Sequence, residues 1–180
     1  MSRIAVIGGS GFNQLPGLVA LGEEAPVPLF GRLRPPIQGG RLAEADLLFL
    51  PRHGLNHRIP PHRVNYRANL WALKQMGAER VVGLAAVGGL QAPYAPRVLA
   101  VPTHLVDYTH GRDQTFHEGG DAGVGHIDFT WPYCEPLRAE LLRLGRSLGI
   151  DLVDGGTLGV TQGPRLETAA EIRRLERDGC

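Results

Sequence analysis

The sequence predicts an α/β fold, and three observations carry that prediction. Short apolar runs alternate with longer stretches of helical spacing, the order expected when strands and helices take turns along a chain. Three of the runs end in turns rich in glycine or charge: Gly8-Gly9-Ser10-Gly11, Pro51-Arg52-His53-Gly54 and Gly88-Gly89. A length of 180 residues with 43% hydrophobic content suffices for one ordinary domain with a real core.

Residues 4–7 read as a short buried strand, closed by the first glycine turn. Residues 41–50 alternate and then become wholly apolar, which predicts a second strand entering the core. Residues 47–66 continue from that strand into a turn holding three Arg and three His. A helix follows over 64–77, with Val64, Ala68, Trp71 and Leu73 as its apolar stripe and Gly77 as its stop. Residues 80–87 are apolar on both faces, which predicts a central strand covered by helices on each side. Further short strands are expected at 97–101 and 105–108, whereas 109–133 is rich in Gly, His and Asp and lacks periodicity. Helical spacing returns over 135–148 through Leu137, Leu141, Leu142, Leu144 and Leu148. A strand at 156–161, a break at Gln162-Gly163-Pro164 and an amphipathic helix over 167–177 complete the reading. The chain stops at Cys180 directly after that helix, where an α/β sheet would continue with another strand. The expectation is therefore a single domain, 1–180, that lacks its C-terminal part.

Composition narrows the function classes. A net charge of +1 on 19 basic and 18 acidic residues, with no run of like charges, argues against a nucleic-acid surface. Lys74 is the one lysine, so the chain is rich in Arg throughout and a lone Arg carries little weight. Cys134 and Cys180 are too few for a disulfide framework. The start lacks the apolar core of a signal peptide, and no apolar run of about twenty residues exists. A soluble, cytoplasmic protein without membrane contact is expected.

The charged turn points to anion chemistry. A buried strand that delivers Arg52 and His53 together offers fixed donors to an oxyanion, and Arg suits bidentate phosphate binding. An ion pair remains the alternative. Gly8-Gly9-Ser10-Gly11 supplies unhindered N–H groups and a hydroxyl for phosphate, although a tight turn packed closely on its neighbours explains the glycines equally well. Gln14 occupies the position where a dinucleotide fingerprint starting at Gly9 needs glycine, and no Walker sequence is present. His53, His57 and His62 are spaced by four and five residues, but Pro60-Pro61 interrupts any helix that could align them, so no metal is expected. Ligands in open α/β sheets gather beyond the carboxyl ends of strands, where these turns lie.

Five motifs occur in a telling order: Gly-Gly-Ser-Gly-Phe, Pro-Arg-His-Gly, Val-Asn-Tyr-Arg-Ala-Asn-Leu-Trp-Ala-Leu-Lys, Ala-Val-Gly-Gly-Leu and Thr-Gln-Gly-Pro-Arg-Leu-Glu-Thr. Together they resemble the methylthioadenosine phosphorylase and trimeric purine nucleoside phosphorylase family, and within it the bacterial S-methyl-5′-thioinosine phosphorylase branch. The likeness spans the whole chain. It implies a three-layer nucleoside phosphorylase fold with a central twisted mixed sheet flanked by helices. The implied reaction is phosphorolysis of a purine nucleoside, foremost S-methyl-5′-thioinosine to hypoxanthine and 5-methylthioribose 1-phosphate. Inorganic phosphate is the co-substrate, and neither a cofactor nor a metal is implied.

The resemblance also assigns roles by position. Ser10, Arg52, His53 and the backbone N–H of Ala86 match the family's phosphate-binding groups. Ala85 departs from the methylthioadenosine enzymes, which carry a Thr hydroxyl there. Val87 and Gly88 match the wall behind the purine, and Leu166 and Glu167 the groups flanking and hydrogen-bonding the base. A carboxylate accepts from the N1–H of a 6-oxopurine but meets another acceptor at N1 of adenine. Glu167 also falls where a helix dipole favours an acid, which explains it equally well. Thr161 is expected near phosphate or ribose. His126 matches a residue sent across a homotrimer interface, against the plain alternative of an exposed loop histidine. The group that activates the leaving base, an Asp or Asn, is expected beyond Cys180, so the 180-residue form is expected to be inactive alone. Methylthioadenosine, inosine and guanosine remain as alternative substrates. A nucleoside hydrolase and a non-catalytic nucleoside-binding domain remain as alternative functions.

Overall fold

A computed structural model describes residues 3–22, 26, 29–32, 36–120 and 123–180. Met1 and Ser2 of the expected leaderless start, and residues 121–122 of the irregular stretch, lie outside the described residues. The architecture is α/β, with a mixed sheet and three α-helices among the described residues. It divides into two compact units, Met1–Ala86 with Arg112–Phe116, and Val87–Gly111 with His117–Cys180.

The first unit contains β1 (Arg3–Gly8), β2 (Val19–Ala20), β3 (Gln38–Leu42), β4 (Ala45–Pro51), α1 (Tyr66–Gln75) and β5 (Ala78–Leu84). Its five strands run in the order β2-β3-β4-β1-β5. β1 is parallel to both β4 and β5, while the β2-β3 and β3-β4 pairs are antiparallel. β4 is the middle strand and buries Leu47 through Pro51 without interruption, as its unbroken apolar run predicts. Ala5, Ile37, Leu48, Leu50, Ala72 and Leu73 form one core cluster. Full burial of a Leu side chain such as Leu48 or Leu73 contributes about 1.5–3 kcal/mol. The Asn65 side chain caps α1 by accepting from the Ala68 N–H at 3.0 Å, and Gly77 ends the helix region at φ +85°.

Two expectations for this unit need correction. Residues 41–50 are not one strand: Ala43 and Glu44 turn the chain, with Ala43 at φ +51°, so that β3 pairs back on β4. The strand over 80–87 is β5, which ends at Leu84 and, among the described residues, stands last in its sheet's strand order rather than in the middle, with Glu79, Arg80 and Val81 exposed. An apolar run on both faces does not distinguish a middle strand from the last one, because position in the order is decided by partners distant in sequence.

The second unit contains β6 (Leu99–Val101), β7 (His104–Asp107), α2 (Glu135–Ser147), β8 (Leu152–Asp154), β9 (Thr157–Val160) and α3 (Ala169–Arg177). β6 pairs in parallel with β8, and β7 in parallel with β9. Arg138 on α2 is buried, with 6% of its surface exposed, and ties these pieces together. Its guanidinium donates to Asp154 Oδ1 at 2.6 Å, to Glu135 Oε2 at 2.9 Å and to the carbonyls of Val101 and Pro102. No helix of the described residues is long and apolar enough to cross a membrane.

Candidate functional site

Register places three turns at one sheet edge. Gly8 of β1 stands level with Pro51 of β4 and Leu84 of β5, and all three strands run the same way. Ser10, Arg52, His53 and Ala86 therefore follow from neighbouring carboxyl ends, the side where α/β sheets bind ligands. Main-chain bonds stitch the turns together: the Arg52 N–H donates to Gly8 at 3.0 Å and the Gly9 N–H to Leu84 at 2.9 Å. Ser10 is exposed within its turn, which the Phe12 N–H closes onto the Gly9 carbonyl at 3.0 Å. Ala86 is exposed two residues beyond β5.

Gly9 is required by close approach. A Cβ there would lie 2.7 Å from the Leu84 carbonyl oxygen and 2.8 Å from Arg52 Nη1, so any side chain would displace the guanidinium or the strand end. Arg52 is also held by its neighbour. Its Nε–H donates to His53 Nε2 at 3.1 Å, and His53 Nδ1 lies 2.8 Å from the Ile59 carbonyl. A carbonyl can only accept and Nε–H can only donate, so the pair of contacts assigns a neutral imidazole with its proton on Nδ1. Burial pushes the His53 pKa below its ordinary value, outweighing the opposing pull of the Ile59 carbonyl, while the charge on Arg52 adds to the depression. With Nε engaged, Nη1 and Nη2 remain as the outer fork for a bidentate oxyanion. The His57 ring lies tilted against His53, 4.6 Å between ring centroids, and His57 is exposed, as is His62.

A second cation enters from far along the chain. The return segment Arg112–Phe116 belongs to this unit, and the Arg112 guanidinium lies 4.9 Å from the centroid of the Tyr66 ring. Asp113 pairs with Arg67 at 2.7 Å, and Phe116 meets Phe30 edge-on at 5.1 Å, which anchors the segment. Burial lowers the Arg52 pKa, Tyr66 opposes that, and the charge of Arg112 lowers it further. Sequence reading missed Arg112, and no spacing signal could have joined it to a turn sixty residues earlier.

The second unit holds the remaining expected residues. Thr161 follows β9, and its hydroxyl donates to Glu167 Oε1 at 2.6 Å. Both side chains are half-buried. Glu167 is not in the first turn of a helix, as was expected; α3 begins at Ala169 with Thr168 as its cap. The first-turn acid is Glu171, which completes a capping box with Thr168 and takes two bonds from Arg165 at 2.8 Å each. Those bonds, led by that from Arg165, hold the Glu171 carboxyl at a pKa of about 2. The helix dipole thus accounts for Glu171 and leaves Glu167 to be explained by something else. The Thr168-x-x-Glu171 spacing was readable in the sequence and would have set this boundary. Val87, Gly88, His126 and Leu166 are all exposed, Leu166 at 86%.

Comparison with known proteins adds a family. A family model described as the phosphorylase superfamily matches residues 3–180. A protein of Xylella fastidiosa named probable S-methyl-5′-thioinosine phosphorylase is 48% identical over 177 residues, covering 98% of this chain and 75% of its own. The 6-oxopurine nucleoside phosphorylase of Pyrococcus furiosus is 40% identical over 178 residues, covering 96% of this chain and 66% of its own. Among solved structures, the methylthioadenosine phosphorylase of Schistosoma mansoni in its apo form superposes with a TM-score of 0.91 at 29% identity. That match covers 99% of this chain and 70% of the other.

Proposed function

We propose, since this chain belongs to the phosphorylase superfamily, that it serves phosphorolysis of a purine nucleoside, foremost S-methyl-5′-thioinosine. The products are hypoxanthine and 5-methylthioribose 1-phosphate, which makes it a pentosyltransferase of purine salvage. The observation that carries the reading is the cluster at the parallel strand ends, where Arg52 lies over Gly9 and is held by buried His53. A neutral water nucleophile needs no such cluster; an anionic one does.

Phosphate is held by the Ser10 hydroxyl, the outer fork of Arg52 and the backbone N–H of Ala86, and His53, whose two ring nitrogens are engaged by Ile59 and Arg52, acts by positioning that fork. As the bond from sugar to base breaks, positive charge builds at the anomeric carbon, as in other glycosyl cleavages. Bound phosphate stabilises that charge and then attacks it, so the rate comes from positioning and preorganised charge without a covalent protein intermediate. In the second unit, Glu167 accepts from the N1–H of the base, with Val87, Gly88 and Leu166 bordering it. The names carried by the relatives at 48% and 40% identity support a 6-oxopurine. Methylthioadenosine, inosine and guanosine are the other substrates to compare. Phosphate is a co-substrate, and the reaction asks for no cofactor.

Residues 1–180 belong to one phosphorylase domain in this reading, supported by a family match that runs unbroken through 3–180. The protein works in the cytoplasm as a homotrimer, with His126 serving a neighbouring subunit's site. Release of free base from methylthioinosine, methylthioadenosine and inosine, each with and without phosphate, by this chain carried in a protein of its relatives' full length, tests the proposal. Phosphate-dependent release, fastest from methylthioinosine, is expected. Turnover that ignores phosphate means a hydrolase, equal rates on all three sink the 6-oxopurine assignment, and tight binding without cleavage means a binding module.

A further inference from the structure

We infer that Thr161 is a positioning residue that makes Glu167 selective for 6-oxopurines, by fixing which carboxylate oxygen the base meets. The inference rests on the proposal that Glu167 binds the base, and it concerns how that carboxylate discriminates.

The geometry is specific. The Thr161 hydroxyl donates to Oε1 of Glu167 at 2.6 Å, short for a hydrogen bond and in the range of a charge-assisted one. A hydroxyl has one proton, so the contact engages Oε1 and orients Oε2 away from it. The residues flanking Glu167 are tied to Glu171. Before it, Arg165 forms two bonds to Glu171, and after it, Thr168 exchanges two bonds with the same residue. Thr161 itself is fixed by its place at the end of β9, which pairs with β7.

A carboxylate held in this way offers Oε2 in one direction. The N1–H of hypoxanthine or guanine can donate to it, whereas N1 of adenine presents a lone pair and leaves two acceptors face to face. An unanchored Glu could swing to accept from the adenine 6-amino group and recover part of that loss. The Thr161 hydroxyl removes this escape, so discrimination arises from restraint as well as from charge.

The test is binding of hypoxanthine and of adenine, measured by calorimetry on the 180-residue chain and on Thr161→Val, Thr161→Ser, Thr161→Ala and Glu167→Gln, with circular dichroism reporting the fold of each. Thr161→Val keeps the shape and removes the hydroxyl; Thr161→Ala serves if the Val variant fails to fold. Loss of the anchor should reduce the preference for hypoxanthine about tenfold, the worth of one hydrogen bond, chiefly through tighter adenine binding. Thr161→Ser, which keeps the hydroxyl, should retain the preference. If Thr161→Val and Thr161→Ala keep the full preference while Glu167→Gln loses it, Thr161 does not position Glu167, though Glu167 still binds the base. If the unaltered chain shows no preference, or Glu167→Gln keeps it, the base-binding reading itself fails and takes this inference with it.

Discussion

In the first unit the proposed phosphate groups hang on three parallel strand ends whose main chains bond one another, while in the second the proposed base contact depends on side chains. Gly9 is joined to Leu84, and Arg52 to Gly8, by peptide N–H bonds that no substitution deletes except through the backbone. Glu167 is steadied by a Thr hydroxyl and by a neighbouring Arg165–Glu171–Thr168 network, every part of which mutation can remove singly. The division suits the chemistry. Phosphate is one invariant anion and is well served by a rigid cradle, whereas the choice of base is a matter of a few polar atoms that side chains can redefine.

Substitutions can break this contrast in graded steps. The largest effect is expected from Arg52→Ala, which removes the charged fork. Phosphate affinity should fall on the order of a hundredfold or more, the loss of two charge-assisted bonds. The rise in Tm that phosphate confers on the unaltered protein should disappear, while hypoxanthine binding persists. Joint loss of phosphate and base binding would show that the two halves are not separable. A middling effect is expected from Gly9→Ala, whose new Cβ would meet the Leu84 carbonyl and Arg52 Nη1. Overpacking of this kind costs about 1–3 kcal/mol, and thermal melting should record it together with weakened phosphate binding. An unchanged Tm would mean that the turns yield easily and the cradle is not rigid. The smallest effect belongs to Glu171→Ala, which removes the carboxylate half of the capping box and the two Arg165 bonds but leaves the Thr168 cap. It should lower Tm only slightly. It should also blur the choice between hypoxanthine and adenine by less than Glu167→Gln does, leaving phosphate affinity unchanged.

How far the sequence could be read follows the same line. The strand ends were legible because an apolar run that passes directly into Arg52 and His53 is a local pattern, and β1, α1 and α2 fall close to their expected spans. The turn at Ala43-Glu44 was not, because it carries none of the Asn-Gly or Asp-Gly chemistry that marks a two-residue hairpin. β8 was missed because three residues are too few to show a period. The site was legible as a set of residue types, and its couplings were not. That His53 turns both ring nitrogens toward protein partners, that Arg112 adds its charge, and that Glu167 lies outside α3 all depend on contacts or cap geometry that periodicity does not encode.

The turn that divides β3 from β4 has a practical use. Ala43 and Glu44 are exposed and stand at the opposite end of β4 from Arg52. Seven residues of extended chain separate them, roughly 23 Å at the usual rise per residue. A fluorophore or short epitope carried on this tip would ride on the most buried strand of the unit without crowding the proposed phosphate cradle. Such a reporter could follow folding and ligand binding in the same sample.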